Sequence, residues 1–302
     1  MLVSTLIERT YNEFLYPSGI NRPTYDKLAL AMDGSQTTLT VTGRVQNIPR
    51  DTVLEIDSEL MLVDSVTGTT VTLHPTAGIG RGYLETAATT HLQFAPIYID
   101  PTFSRQALFN TLLSMIGTLY PQGVYCRKLD SSVLYDARGP FTLPATGLQT
   151  IAITVAESKS SPIRYNQLRK GIDYLEFDEF SPPKIQLLRG GIFGGEMHVV
   201  YKTDFTLPTS EAEDLSALAN PVPLRIQNYL PMAVAGYLLQ GRELSRTHIE
   251  QIVRALNAQG IQVGSAMNVA NQMLNIFYAR YVQPEADRLR EQDSQGIEFV
   301  RR

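Results

Sequence analysis

The amino-acid sequence predicts an α+β protein, a helical core with two inserted antiparallel β modules. One module reads as a small barrel or sandwich, the other as a larger β-sandwich. Three observations carry this. Apolar residues recur at helical spacing in residues 2–15, in 103–119 and through the last third of the chain. Between these stretches the pattern drops to alternation, in 37–99 and again in 139–205. Prolines and glycines mark the changes of period. The expected partition is therefore a helical core of 1–36, 100–138 and 206–291, a small β module of 37–99, a sandwich of 139–205 and a tail of 292–302.

Each element has its own reason. Leu2, Val3, Leu6, Ile7, Tyr11 and Phe14 share a helical face, and Thr5 with Glu8 has capping-box spacing. Leu54, Ile56, Leu60, Leu62 and Val66 fall on one side of an extended chain, with a turn at Thr67-Gly68 and a return strand through Val71 and Leu73. Asp100 can cap the next helix and Pro101 suits its first position. Its stripe is Phe103, Ala107, Leu108, Leu112, Met115, Ile116 and Leu119. Ile151, Ile153 and Val155 alternate, and "DYLEF", "KIQLL" and "MHVVY" follow as further strands. After Asn220-Pro221 a helix runs to about Gln240, bent by Pro231. A short helix begins near Thr247 and Glu250, and a long one opens at Ser265 and is expected to be bent or ended by Pro284. Down that last helix run Val269, Ala270, Met273, Phe277 and Tyr281.

Composition excludes several classes. The chain has 302 residues, is 43% hydrophobic and 19% charged, and carries a net charge of −4. It lacks the basic footprint of a sequence-specific nucleic-acid reader. With Cys126 as the single cysteine, no intrachain disulfide and no zinc site of several thiolates can form. The start, "MLVSTLIERT", does not read as a signal peptide. No window has the ~18–20 apolar residues of a membrane span, so no membrane partner is expected.

The polar motifs are weak signals for chemistry. "GIGRGY" lacks the third glycine and the βαβ context of a dinucleotide site. Asp57, Glu59, Asp64, His74 and His91 could be drawn as a metal cluster, but their spacing matches no ligand motif, and charge on the outer face of a half-buried strand is the default. Asp173, Glu176, Asp178 and Glu179 lack the order of a calcium loop. Cys126 has no histidine beside it, and no nucleophile elbow is present. His198 within a strand and His248 near a helix start suit structural roles. The expectation is no catalytic, cofactor or metal site, and no enzyme.

What remains is an ordering of residues. Ile56, Asp57 and Glu59 form an I-D-x-E strand ahead of a hairpin, and Arg81, Gly82, Thr86, Ala88 and His91 follow as R-G-x-x-x-T-x-A-x-x-H. This resembles a β module of tailed-bacteriophage virion proteins. The segment "DPTFSRQALFNTLLSMIGTLYP" is similar to the helix that follows it in head–tail connector, or adaptor, proteins. The resemblance covers roughly residues 50–125. It implies a structural virion protein of the neck: a ring, commonly of twelve copies, between the capsid portal and the tail, assembled in the host bacterial cytoplasm. Implied partners are the portal, tail or neck proteins, further copies of the chain, and genomic DNA passing through non-specifically.

Physical arguments then place the interfaces. The stripe of Val269, Met273, Phe277 and Tyr281 suits the head-to-tail interface of a ring-forming core. The C-terminal tail, with Ile297, Phe299, Val300, Arg301 and Arg302, is the expected portal-docking element. A net −4 per chain, over twelve copies, gives a ring near −48, a sign that repels DNA phosphates. The alternative is a baseplate or tail-fibre component whose sandwich binds host glycan, against which stands the absence of tryptophan.

Overall fold

Two-residue turns set the register of the first sheet. Strand β3 (Val53–Ile56) returns as β4 (Glu59–Thr67) through Asp57-Ser58, so that Ile56 pairs with Glu59 and Leu54 with Met61. Strand β5 (Thr70–Leu73) returns after Gly68-Thr69, with Gly68 at φ 63°, a conformation glycine takes without a Cβ clash. Strands β1 (Asp26–Lys27), β2 (Thr38–Thr40) and β6 (Pro96–Ile99) complete six strands in the order β1-β6-β3-β4-β5-β2, all antiparallel. The sheet curls into a half-barrel whose outer strands meet beyond their ends. The Ala29 N–H donates to the Thr40 carbonyl at 2.7 Å, and the Thr42 N–H to the Lys27 carbonyl at 3.0 Å.

The computed structural model describes residues 1–17, 26–43, 48–134, 140–143, 147–157, 164–188, 196–240 and 266–294. The expected helix near Thr247 and Glu250, His248, and the tail residues Ile297, Phe299, Val300, Arg301 and Arg302 lie outside them.

The half-barrel core contains Leu28, Met32, Leu54, Ile56, Met61, Val63, Val71, Leu73 and Ile97. Met61 and Val63 face this core, whereas the sequence pattern chose Leu60 and Leu62. A two-residue turn places Glu59, not Leu60, on the same side as Ile56, and this one-residue slip exchanges the faces as far as Val63; the bulge between Val63 and Ser65 returns Val66 to the core, as expected. That slip is what turns Glu59 inward.

The fold divides into two compact units, Ser4–Leu113 with Pro231–Leu274, and Met1–Val3 with Ser114–Leu230 and Asn275–Arg302. The half-barrel belongs to the first. There, helix α1 (Val3–Arg9) continues as a wider π-helical turn, Thr10–Leu15. Tyr11 is buried and donates its hydroxyl to the Phe103 carbonyl at 3.0 Å. Leu2, expected on the buried face, is exposed. Helix α2 (Arg105–Gly117) starts later than Asp100 suggests. Asp100 accepts from the Val53 N–H at 3.0 Å, while Ser104 accepts from the Ala107 N–H at 3.1 Å and caps the helix.

The second unit holds the larger β module. Strands β7 (Cys126–Leu134), β9 (Gly147–Glu157), β10 (Arg164–Leu168) and β13 (Glu196–Thr203) form one sheet, ordered β10-β9-β13-β7. Strands β8 (Phe141–Thr142), β11 (Tyr174–Phe177) and β12 (Lys184–Leu187) form another. Both contribute to one core, with Ile153, Met197, Val199 and Tyr201 from the first and Tyr174 and Ile185 from the second. β7 begins well before residue 139, where alternation becomes visible in the sequence. It is an edge strand, and its Leu129 points to solvent.

The later helices are α3 (Leu224–Gln227), α4 (Leu230–Leu239), α5 (Ala266–Phe277) and α6 (Gln283–Ser294). Pro231 does not bend a long helix. The break falls at Asn228-Tyr229, and Pro231 sits in the first turn of α4, where its missing N–H costs no hydrogen bond. Pro284 does not end the last helix either. A π-helical turn, Tyr278–Val282, joins α5 to α6 and absorbs the irregularity just before the proline.

The stripe expected to face a neighbouring copy is used internally. Val269 is 1% exposed, Met273 and Phe277 0%. Tyr281 is half-buried and stacks on Tyr229, ring centroids 3.4 Å apart. Within the first unit, a Cβ on Gly236 of α4 would lie 3.0 Å from the Met273 Cβ and 3.2 Å from the Ala270 carbonyl oxygen. Glycine lets α4 and α5 approach this closely. Gly236→Val should cost about 1–3 kcal/mol by overpacking, measured as a lowered urea midpoint with unchanged m-value.

Candidate functional site

The inward turn of Glu59 creates a buried polar site with many hydrogen bonds. Glu59 is 0% exposed at its side chain and accepts hydrogen bonds on both oxygens. Arg81 approaches as a fork, Nε to Oε1 at 2.6 Å and Nη2 to Oε2 at 2.9 Å. The Gly82 N–H donates to Oε1 at 3.0 Å and the Thr89 N–H to Oε2 at 2.9 Å. His91 Nε2 lies 2.9 Å from Oε2. The other His91 nitrogen, Nδ1, lies 2.7 Å from Asp57 Oδ2.

Arg81 is saturated as well. Its Nη1 donates to the Asp33 and Gln36 carbonyls at 2.7 and 2.9 Å, and its Nη2 to the Thr89 carbonyl at 2.7 Å. All five guanidinium donors are therefore used. Thr86 adds a local clasp, accepting from the Leu60 N–H at 3.1 Å and donating to the Tyr83 carbonyl at 2.9 Å. Two segments distant in sequence, 33–36 and 81–91, are held to one hairpin by these bonds.

Electrostatics follow from geometry. Burial pushes the Glu59 carboxyl up, but Arg81, His91 and two backbone N–H groups outweigh it and bring it down to about 2. Burial likewise disfavours charged His91, and Asp57 and Glu59 outweigh that, raising the imidazole above its ordinary value. A carboxylate on each nitrogen favours the imidazolium form, which can donate in both directions. A neutral ring would leave one nitrogen lone pair facing a carboxylate.

The loop that delivers Arg81 depends on two glycines. A Cβ on Gly80 would lie 1.7 Å from the His74 carbonyl oxygen, and one on Gly82, at φ 65°, would lie 2.7 Å from that of Thr86. "GIGRGY" is thus a tight structural loop that presents an arginine. Gly80→Ala should cost about 2–3 kcal/mol, since backbone must move. Hydrogen exchange at the Gly82 and Thr89 amides should rise with it.

Other sequence candidates lie apart from this network. Asp64 pairs with Arg50 at 2.8 Å. His74 Nδ1 accepts from the Thr76 N–H at 3.3 Å. Asp173 accepts from the Arg169 N–H at 2.9 Å, and Glu176 from the Thr150 N–H at 2.7 Å and Lys170 Nζ at 2.5 Å. Asp178 and Glu179 are exposed between β11 and β12. His198 pairs with Thr154 across β13 and β9. Burial raises the Cys126 thiol above its ordinary value, which disfavours the nucleophilic thiolate.

The outer-face expectation for acids holds for Asp57 and Asp64 but not for Glu59, nor for Glu55, which is buried and accepts from the Arg105 N–H at the start of α2. Asp33, Gln36 and Thr89 contribute through backbone groups, which no side-chain pattern reveals. Among the described residues, no three His, Cys, Asp or Glu side chains gather as a metal site. Asp57, Glu59 and His91 do meet, but Arg81 takes up the oxygens an ion would need. Among the described residues no helix is long and apolar enough to cross a membrane.

In the second unit, a cavity of about 410 Å3 is lined by Tyr120, Tyr125, Gln149, Lys202 and Arg290 among others. Lys202 Nζ sits 4.5 Å from the centre of the Tyr125 ring, and Tyr125 donates to Asp293. No family model matches the chain, and no curated protein matches it.

Proposed function

We propose that the chain is a structural virion protein, a head-to-tail adaptor that assembles as a ring between the capsid portal and the tail and lets DNA pass. The observation carrying this reading is the Glu59–Arg81–His91 network. It joins five of the positions on which the resemblance to phage connectors rests, namely Asp57, Glu59, Arg81, Gly82 and His91. The polar side-chain atoms of Glu59, Arg81 and His91 all meet other parts of the chain, as suits a rigid building part rather than a reaction centre. The reading also takes the helices as the ring's frame and the acidic net charge as the sign of its lumen. The test is purified chain mixed with portal-bearing capsids, followed by electron cryomicroscopy. A ring at the capsid vertex is expected, and a trimer or hexamer at the distal end of the tail would overturn it.

That second outcome would favour a baseplate or fibre component. The specific observation on its side is the cavity of about 410 Å3 beside β9 and β13, with its two tyrosines and the amide of Gln149. Saturable binding of a host glycan, lost on Gln149→Ala, would support it.

A further inference from the structure

The half-barrel displays large apolar side chains on its rim and strains its backbone to do so. Leu30 is 63% exposed, Leu92 77% and Phe94 59%. They lie together because residues 28–32 and 91–95 run antiparallel. Met32 and His91 exchange backbone bonds of 2.9 and 2.8 Å, and Phe94 donates to the Leu28 carbonyl at 2.8 Å. Between those two points Gln93 Nε2 donates to the Ala29 carbonyl at 2.7 Å. Phe94 has φ 68°, a conformation that disfavours bulky side chains. Strain of this kind persists only where surrounding structure enforces it, and it clusters at binding surfaces. Here the backbone bonds around it, from the Phe94 N–H to Leu28 and from the Leu28 N–H to Ala95, hold the conformation.

Charge is ordered along the rim. Exposed Lys27 lies at the Phe94 end, on β1 beside Leu28. Its neighbour Asp26 is engaged with Thr42 and the Gly43 N–H. At the Leu92 end are Asp57, held by His91, and exposed Asp33, next to Met32. The rim therefore reads one exposed cation with a hydrogen-bonded carboxylate beside it, an apolar patch, and two carboxylates that are also hydrogen-bonded. The C-terminal sequence Ile297-Glu298-Phe299-Val300-Arg301-Arg302 reads acid, apolar pair, two cations.

We propose that the C-terminal segment of a second copy of this chain docks on the rim, with Glu298 toward Lys27, Phe299 and Val300 over Phe94, Leu92 and Leu30, and Arg301-Arg302 toward Asp33 and Asp57. Apolar contact supplies affinity and the ordered charges fix direction. This rests on the reading that the chain assembles with itself. It gives the ring a contact that the internal stripe of α5 does not provide.

The test uses full-length chains in a Cys126→Ser background, one carrying Leu92→Cys and the other Phe299→Cys, mixed with oxidised glutathione. A disulfide-linked heterodimer is expected. In a chain carrying both cysteines, closure within the monomer alone would overturn the proposal in favour of the chain's own tail. Rings that form without the cross-link would overturn it while leaving the adaptor reading intact, and portal-dependent protection of Phe299→Cys in such rings would assign the tail to the portal instead. In sedimentation, Lys27→Glu and Glu298→Lys should each weaken self-association about tenfold, and the pair should restore it. Phe94→Gly should weaken association while leaving the melting temperature unchanged or raised, because glycine relieves the φ 68° strain. An unaltered association constant in Phe94→Gly would overturn the docking site.

Discussion

Arg81→Ala should destabilise the half-barrel by about 3–5 kcal/mol, the cost of removing one partner from a buried ion pair. The loss is large because Arg81 serves four acceptor groups at once. Without it Glu59 keeps its charge in a site with 0% exposure, and the carbonyls of Asp33, Gln36 and Thr89 lose a shared donor. Arg81→Lys separates charge from shape. An ammonium restores the charge but cannot present the two parallel N–H groups that meet Oε1 and Oε2. It should recover less than half of the loss. Urea denaturation followed by tyrosine fluorescence and circular dichroism would measure both, the chain having no tryptophan. If Arg81→Lys unfolds like the parent, the fork geometry contributes nothing and the network is not the fastener of this module.

The network is not legible in the sequence because of one turn. Alternation in "VLEIDSELMLV" can be counted straight through Asp57-Ser58, which assigns Leu60 and Leu62 inward. The chain instead reverses in two residues, pairs Ile56 with Glu59 and sends the acid in. Binary patterning treats a glutamate as an outside residue, so the error supports itself. The arginine 22 positions later, with His91 and the Gly82 and Thr89 N–H groups, makes an inward acid tolerable, and partners that far apart leave no local signal. The apolar stripes were legible in a similar, partial way. Val269, Met273 and Phe277 do form one face, but periodicity says only that a face is covered, not by what. Their cover is the chain's own packing. Strand β7 was missed because an edge strand that turns Leu129 to solvent gives no clean alternation. The turn at Gly68, the helix periods and the antiparallel strands of the second module came through because each follows from residues close in sequence.

Stability of the half-barrel should peak between about pH 4.5 and pH 6.5 and fall on both sides. Glu59 has its folded value depressed from 4.5 to about 2. Its stabilisation is complete above its unfolded value and lost as pH falls toward 2. A shift of that size corresponds to roughly 3 kcal/mol at one buried carboxylate. His91 has its folded value raised above 6.5. Its stabilisation is complete below the unfolded value and lost as pH rises through the folded one. The physical event on the alkaline side is loss of one of the two N–H groups that bridge Asp57 and Glu59, leaving a lone pair against a carboxylate. Two variants separate the limbs. His91→Gln should flatten the alkaline limb and keep the acid one, since Arg81 still holds Glu59. Glu59→Gln should flatten the acid limb and lower stability throughout, because an amide cannot accept from Arg81, His91, Gly82 and Thr89 together. The measurement is a series of urea midpoints from pH 3 to pH 9, with exchange at the Gly82 and Thr89 amides reporting on the site itself. An alkaline limb that survives His91→Gln unchanged would move the titration to another group and remove His91 from its place between the two carboxylates.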